Sequence, residues 1–233
     1  MTDFPYGSAL IVGAGAGISA SLARRLTELG VKVALAARHV EKLDALVQST
    51  GAQDFAADAS DPIAVEALFN QVCERMDEPQ IVVYNASGRV QGPLAELDPI
   101  AVQQSLAVSA FGAFLVARQA AKLMLPRGRG AILMTGATAS IKGFAHSAGF
   151  AMGKFALRGL AQSAARELGP KGIHVAHFII DGGVRAAHRA DPADRPDSTL
   201  DPDAIAQAYI DVLRQPRSAW SQEVELRPWV ERF

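Results

Sequence analysis

The sequence predicts an α/β fold, a doubly wound and mostly parallel sheet of about seven strands with helices on both faces. Short apolar runs rich in strand-forming residues alternate with longer stretches of helical periodicity, which is the pattern of βαβ units. A glycine-rich turn follows the first of these runs. The 233 residues, 49% of them hydrophobic, suffice for one sizeable core, so we expect a single domain over residues 1–233.

The predicted strands are short and apolar, and the last one is the least regular. In chain order they are SALIVGA, VKVALAAR, AQDFAAD, QIVVYNAS, GAILMTGA, GIHVAHFII and SQEVELR. Because strands alternate with helices along the chain, neighbouring strands are expected to run parallel and to end at a common edge, where such sheets bind their ligands.

The predicted helices carry recognisable start and stop signals. In chain order they are SASLARRLTELG, EKLDALVQSTG, DPIAVEALFNQVCERM, the long stretch 99–125, GFAMGKFALRGLAQSAARELG and DPDAIAQAYIDVLRQ. Gly30 ends the first helix, and Asp61 followed by Pro62 begins the third. Residues 181–203 are rich in Asp, Pro, Arg and Ala without periodicity, so we expect a loop beyond the strand ends.

The charge balance gives no broad surface for nucleic acid or an anionic membrane. There are 23 basic and 24 acidic residues and no long run of either sign. The N-terminal stretch has no basic segment followed by a long apolar one, and its apolar run over residues 9–12 is too short to span a bilayer. We therefore expect a cytoplasmic protein with no nucleic-acid or membrane partner, acting on a small-molecule substrate.

Cysteine and histidine usage predicts neither a disulfide framework nor a metal site. The single cysteine, Cys73, falls in an apolar periodic stretch and is expected in the core. His39, His174, His177 and His188 show no metal-ligand spacing, and His174 and His177 lie in a predicted buried strand, where a hydrogen-bonded structural histidine is expected.

The stretch GAGAGIS favours a phosphate site between the first strand and the first helix. Gly13, Gly15 and Gly17, with Ile18, would let backbone N–H groups approach a phosphate at the helix N-terminus. A tight strand-to-helix turn without a ligand explains the same glycines. Arg38 ends the second strand, where a basic side chain can pair with the 2′-phosphate of NADP, although an exposed arginine at a strand end has the same appearance.

With three further motifs the chain resembles the short-chain dehydrogenase/reductase family over nearly its whole length. These are ADASD with Asp58, YNAS with Asn85 and Ala86, and an aromatic residue four positions before a lysine, Phe150 and Lys154. The resemblance implies a Rossmann fold with NADP(H) preferred over NAD(H), Asp58 at the adenine, and Asn85 and Ala86 supporting the cofactor. It also implies that Gly182 lies in the turn at the nicotinamide, that Lys154 binds the ribose, and that the protein is a homodimer or homotetramer formed through the helices 99–125 and 149–169.

The departures from the family concentrate where it performs its chemistry. A tyrosine there supplies a proton and a serine polarises the substrate oxygen, and an asparagine holds a relay water. Their positions correspond to Phe150, Ala137 and Ser109 in this chain, and only Lys154 remains in register. Ser19 also replaces the last glycine of the turn.

Three hypotheses follow from these substitutions. The first is an oxidoreductase that uses a stand-in proton donor, Thr138 or His146, or a substrate that needs none from this position. The second is an NADP-binding sensor or assembly protein without efficient turnover, and the third is a nucleotide-free scaffold. Asp181 is expected to cap the turn that follows it, with a carboxylate near the active site as the alternative. Trp229 and Phe233 are expected to pack on another subunit or on the substrate loop.

Overall fold

A computed structural model describes residues 4–186 and 189–230, and in it seven parallel strands form one sheet of order β3-β2-β1-β4-β5-β6-β7. All six pairings are parallel, which confirms the predicted fold class. The strands are β1 (Ser8–Val12), β2 (Lys32–Ala37), β3 (Gln53–Ala56), β4 (Ile81–Tyr84), β5 (Gly130–Thr135), β6 (Ile173–Ile180) and β7 (Glu223–Leu226). Strand order reverses between β1 and β4, so a crevice opens at the carboxyl edge between them.

Helices cover both faces of the sheet. They are α1 (Ile18–Glu28), α2 (Asp44–Thr50), α3 (Pro62–Arg75), α4 (Pro99–Leu106), α5 (Gly112–Met124), α6 (Ala148–Leu168) and α7 (Pro202–Leu213). One core lies between the sheet and α1 and α7, with Leu22, Leu26 and Tyr209 buried. The other lies under α3, α5 and α6, with Val116 and Leu157 buried. The central strands β1, β4, β5 and β6 are buried on both sides, as a parallel sheet requires, and the edge strands β3 and β7 are more exposed.

An aspartate followed by a proline begins each of three helices. The aspartate side chain accepts hydrogen bonds from backbone N–H groups of the first turn, and the proline occupies a helical position that needs no N–H donor. These pairs stand before or at the start of α3, α4 and α7, and they are Asp61 with Pro62, Asp98 with Pro99, and Asp201 with Pro202.

The long helix expected over residues 99–125 is interrupted by one π-helical segment, Ala107–Phe111, between α4 and α5. By length and composition, Pro99–Arg127 is the one helix in the described part of the chain that could cross a membrane. It packs on the sheet like the core helix of a globular protein, with Ala113, Val116 and Ala120 buried. The π segment changes which side chains face the site, because it adds a residue to one turn.

The structure bears on several smaller expectations, and one of them, for Cys73, is wrong. Cys73 is half-buried rather than in the core, since it lies on the flank of α3 beside the buried Val72. Trp229 is 78% exposed in the single chain. His188 and Phe233 lie outside the described residues. No cluster of three His, Cys, Asp or Glu side chains within 4–186 and 189–230 is placed to hold a metal ion.

Candidate active site

A cleft of about 490 Å³ opens at the carboxyl ends of β1 to β4. Its wall is formed by the turn after β1, the ends of β2 and β3, and the loop after β4. Of the residues predicted to bind a cofactor, it brings together Gly13, Gly15, Arg38, Asp58, Asn85 and Ala86. Gly17 and Ile18 stand behind this wall at the start of α1, and Lys154 and Gly182 lie outside it.

The glycines of the turn have two different physical roles. Gly13 has φ +85°, and a Cβ there would come within 2.3 Å of the Ala86 backbone nitrogen, so only glycine lets these two chain segments approach. A Cβ on Gly15 or Gly17 would meet nothing within 4 Å. These two positions therefore leave open space at the N-terminus of α1, where a phosphate could approach backbone N–H groups.

Ser19, which replaces the last glycine of the turn, ties the two sides of the cleft together. Its hydroxyl donates to the Gly13 carbonyl oxygen at 3.2 Å and accepts from Asn85 Nδ2 at 2.7 Å. The substitution thus fixes the Asn85 side chain against the glycine turn. The sequence shows only that a serine stands where the pattern has glycine, and this contact between distant segments has no local signal.

Asp58 and Arg38 place opposite charges on the wall below β2 and β3. The Asp58 carboxylate accepts from the Ser60 hydroxyl at 2.7 Å and from the Ser60 N–H at 2.9 Å. These hydrogen bonds lower the pKa of Asp58, and the charge of Arg38 adds to the effect. Two further basic side chains line the cleft, His39 and Lys42. Sequence reasoning stopped at Arg38, although Lys42 lies one turn farther along a basic stretch.

Lys154 is a buried cation and not a solvated helix lysine. It is 3% exposed, and its ammonium group donates to the Thr135 carbonyl oxygen at 2.8 Å. Burial lowers the pKa of Lys154 to about 8 because the charged form loses its hydration. The ammonium nitrogen lies 5.9 Å from the centre of the Phe150 ring, one turn away on α6.

Neither Phe150 nor Ala137 offers a hydroxyl, and both are half-buried beside this lysine helix. The Ala137 N–H donates to the Ser140 hydroxyl oxygen at 3.1 Å, which closes the turn after β5. On its exposed side Phe150 meets Arg89, whose guanidinium carbon lies 5.2 Å from the ring centre. Sequence reasoning did not single out Arg89, since no spacing rule links the loop after β4 to α6.

Ser109 holds the loop after β4 from within the π segment. It is fully buried, and its hydroxyl accepts from the Gly88 N–H at 2.9 Å and donates to the Gly88 carbonyl oxygen at 3.2 Å. A Cβ on Gly153 of α6 would come within 2.8 Å of the Ser109 Cβ, so the three segments are in close contact. The hydroxyl is therefore engaged by backbone and does not point free into a cleft.

The two stand-in donors differ in their surroundings. β5 ends at Thr135 and a 3₁₀ turn over Thr138–Ser140 supplies the bend that a role for Thr138 requires. The Thr138 hydroxyl, however, donates to Asp181 at 2.5 Å. His146 is exposed with φ +62°, and its backbone carbonyl accepts from the Gly92 N–H at 2.9 Å. Its imidazole has no hydrogen-bond partner among the described residues.

The expectation that Asp181 caps the turn after it is wrong, because its carboxylate is bound elsewhere. The residue is 2% exposed, accepts a hydrogen bond from Thr138, and lies 3.8 Å from Arg227 Nε, so its charge is balanced by an ion pair inside the protein. The expectation failed because a sequence shows only the turn residues near Asp181. The partners of this carboxylate come from the turn after β5 and from the end of β7.

A partly buried network of hydrogen bonds joins α6 to the edge of the sheet at β6 and β7. His177 on β6 is fully buried, and its Nδ1 lies 3.0 Å from Glu223 of β7, whose carboxylate binds Arg158 of α6 at 2.7 and 2.8 Å. Arg158 holds the pKa of Glu223 below its usual range, and burial lowers the pKa of His177. His174 is bonded to the Ser221 carbonyl oxygen at 2.8 Å. Both strand histidines thus lie where a structural role was expected.

The chain is similar over nearly its whole length to proteins of known structure or activity. A solved short-chain dehydrogenase from Rhodopseudomonas palustris has a TM-score of 0.82 and 34% identity to this chain, over 96% of this chain and 99% of that one. A metagenomic short-chain oxidoreductase solved with NADP has a TM-score of 0.84 and 30% identity, over 96% and 98% of the two chains. Sorbitol-6-phosphate 2-dehydrogenase of Escherichia coli is 28% identical over 227 residues, 93% of this chain and 87% of that enzyme.

The profile of one protein family covers most of the sequence. The family is described as short chain dehydrogenase, and its profile matches residues 8–194. The match begins at β1 and takes in the glycine turn, the cleft and α6. The chain therefore belongs to the short-chain dehydrogenase family of oxidoreductases.

Proposed function

We propose that the protein is an atypical NADP-dependent oxidoreductase that transfers hydride to a small organic substrate without the usual serine and tyrosine. The observation that carries the proposal is the cleft at the sheet's reversal point, with the open glycine turn at one end and the cations of Arg38 and Lys42 on its wall. A relative of similar fold was solved with NADP bound, which supports this cofactor. When bound, the nicotinamide supplies the hydride.

Residues of the cleft wall, together with Lys154 and Gly182 outside it, would bind different groups of such a cofactor. Arg38 and Lys42 offer positive charge to the 2′-phosphate, and Asp58 takes the adenine side. Gly15 and Gly17 leave room for the pyrophosphate at the start of α1, where backbone N–H groups and the helix dipole favour an anion. Lys154, which donates to the Thr135 carbonyl in the unbound chain, would bind the ribose, and Gly182 would form the turn beside the nicotinamide.

The choice of substrate follows from the absent hydroxyls at Phe150 and Ala137. Losing a general acid costs on the order of 10² to 10⁴ in rate, and losing an oxyanion donor on the order of 10² to 10³. Ordinary ketone reduction is therefore a poor reaction for this site. Two substrate classes need no proton from position 150. Enoyl compounds take hydride at the β-carbon and carry the resulting charge on a distant oxygen, and iminium ions arrive already protonated.

An NADP-binding sensor or assembly protein without efficient turnover is the second candidate. The engagement of Ser109 by Gly88 favours it, because one more polar group of the catalytic positions has a structural task. A nucleotide-free scaffold is the third. Binding of the cofactor separates the first two from the third, and turnover separates the first from the second.

The decisive experiment is a fluorescence titration of the protein with NADPH and, in parallel, NADH. We expect Arg38→Ala to weaken NADPH binding about tenfold or more, as loss of a charge-assisted hydrogen bond does, and to leave NADH binding nearly unchanged. Arg25→Ala is the matched control, since Arg25 is exposed on α1 and, within 4–186 and 189–230, pairs only with Glu28 at 3.4 Å. Failure of the wild-type protein to bind either nucleotide would remove both the enzyme and the sensor.

We also propose that the protein works in the cytoplasm as a homodimer or homotetramer. Large apolar side chains are exposed on α4, α5, α6 and the π segment between α4 and α5, and they are Ile100, Phe111, Phe114, Met152 and Phe155. Phe111 and Phe114 stack on each other with ring centres 6.1 Å apart. Extended apolar surfaces of this kind are uncommon on monomers and typical of subunit interfaces.

A further inference from the structure

Arg89 brings a positive charge next to Phe150, the residue that stands where the family has its tyrosine. Its side chain is exposed, and its guanidinium carbon lies 5.2 Å from the centre of the Phe150 ring. None of the acidic side chains within 4–186 and 189–230 forms an ion pair with it. A charged, exposed side chain held over an aromatic ring is therefore still available to bind an anion.

The loop that carries Arg89 is fixed at both ends by residues at substituted or candidate catalytic positions. Just before it, Gly88 is bound through both its N–H and its carbonyl to Ser109. Just after it, the Gly92 N–H donates to the His146 carbonyl at 2.9 Å. A Cβ on Gly88 would come within 2.6 Å of the Ser105 Cα, so the loop is also packed closely on the helix below. The backbone that carries Arg89 is thus held in place before any ligand arrives, which lowers the entropic cost of binding.

The electrostatics at Phe150 favour a negatively charged group. The Lys154 ammonium lies 5.9 Å from the same ring, so two cations approach one aromatic side chain. The nearby carboxylate of Asp181 is already engaged by Thr138 and Arg227. An anion placed beside the ring would relieve the repulsion between the two cations.

We propose that Arg89 binds a carboxylate of the substrate, with the flat part of the substrate against the Phe150 ring. The substrate class is then a small, planar, unsaturated or aromatic carboxylic acid, and this assignment rests on the proposed function for the reaction that follows binding. The guanidinium fork matches two oxygens of either a carboxylate or a phosphate, and the single charge of a carboxylate is the one that a single guanidinium balances. The apolar ring beside it suits a flat group.

The test compares trans-cinnamate with its neutral analogue trans-cinnamamide by isothermal titration, with and without saturating NADP⁺. We expect the wild-type protein to bind the acid more tightly than the amide, and added salt to reduce that preference. Arg89→Gln should weaken cinnamate binding by about 10- to 100-fold and leave the amide unaffected. Arg89→Lys should retain part of the preference, since it keeps the charge but not the fork.

Lys142→Gln is the matched control, because Lys142 is also a cation over an aromatic ring, 5.9 Å from the centre of Phe144, on the loop after β5. Equal binding of acid and amide by the wild-type protein, no binding of cinnamate, or an equal loss in Lys142→Gln would each overturn the proposal. NADPH binding measured on the same samples separates the two hypotheses. Cinnamate binding without NADPH binding refutes the proposed function alone, and the reverse refutes the carboxylate site alone.

Discussion

Substitution by alanine should affect different properties at two glycines of the same turn, the stability of the fold at Gly13 and the binding of a phosphate at Gly15. Gly13→Ala forces a left-handed backbone on alanine and places its Cβ 2.3 Å from the Ala86 backbone nitrogen, an atom that cannot rotate away. Gly15→Ala adds a methyl group that meets nothing within 4 Å, in the wall of the cleft. The first change should damage the fold, and the second only the binding of a phosphate.

The magnitude for Gly13→Ala follows from these contacts. The left-handed conformation costs alanine about 1–2 kcal/mol. Overpacking against fixed backbone costs about 1–3 kcal/mol more, and the stiffer unfolded chain returns about 0.4–1 kcal/mol. We therefore expect a net loss of about 1–5 kcal/mol in the free energy of unfolding. For a protein of this size that loss lowers the melting temperature by roughly 2–20 °C.

The assay pairs a thermal melt with an NADPH titration on both variants. Gly15→Ala should melt within about 2 °C of the wild-type protein, because surface changes away from such contacts are worth only about 0.5 kcal/mol. It should bind NADPH about tenfold or more weakly, the equivalent of one lost charge-assisted hydrogen bond. Equal melting temperatures for the two variants would refute the assignment of different roles to Gly13 and Gly15 within the turn.

Three further predictions concern pH, catalysis and assembly. Because burial lowers the pKa of Lys154 from 10.5 to about 8, the unfolded state binds more protons between those values. The free energy of unfolding should rise across that window by up to about 3 kcal/mol relative to Lys154→Met, measured by urea denaturation at pH 7.5 and pH 10. Phe150→Tyr combined with Ala137→Ser should raise ketone reduction by a factor on the order of 10² or more in a spectrophotometric NADPH assay, and no gain with NADPH still bound would contradict the account of the missing hydroxyls. Phe111→Glu combined with Phe114→Glu should reduce the oligomer to a monomer in analytical ultracentrifugation, and an unchanged mass would move the interface elsewhere.

The elements that the sequence predicted share one property, which is that their signals are local. Short runs of strand-forming residues marked the strands, the last of them least regularly, and Asp61 with Pro62 marked a helix start that the structure places at the same residues. The π segment, Ala107–Phe111, has no such signal, because one extra residue in a turn leaves the apolar spacing nearly unchanged.

The site could be predicted only where a residue type and its distance from a strand end are enough. Those rules placed Gly13 and Arg38 on one cleft wall, and the resemblance to the family added Asp58. They missed Arg89 and misjudged Asp181, since both depend on partners brought together from separate strands and helices. Contacts of this kind follow from the packing of the whole sheet and have no expression in nearby sequence.

The contact of Glu223 with His177 and Arg158 ties the edge of the sheet to the helix that covers it. His177 pairs with Glu223 across the sheet edge, so its ring gains this hydrogen bond only when β7 has joined β6. Because a domain folds as a unit, the position of the helix that carries Lys154 depends on β7 as well as on the strands before it, through the two hydrogen bonds between Arg158 and Glu223.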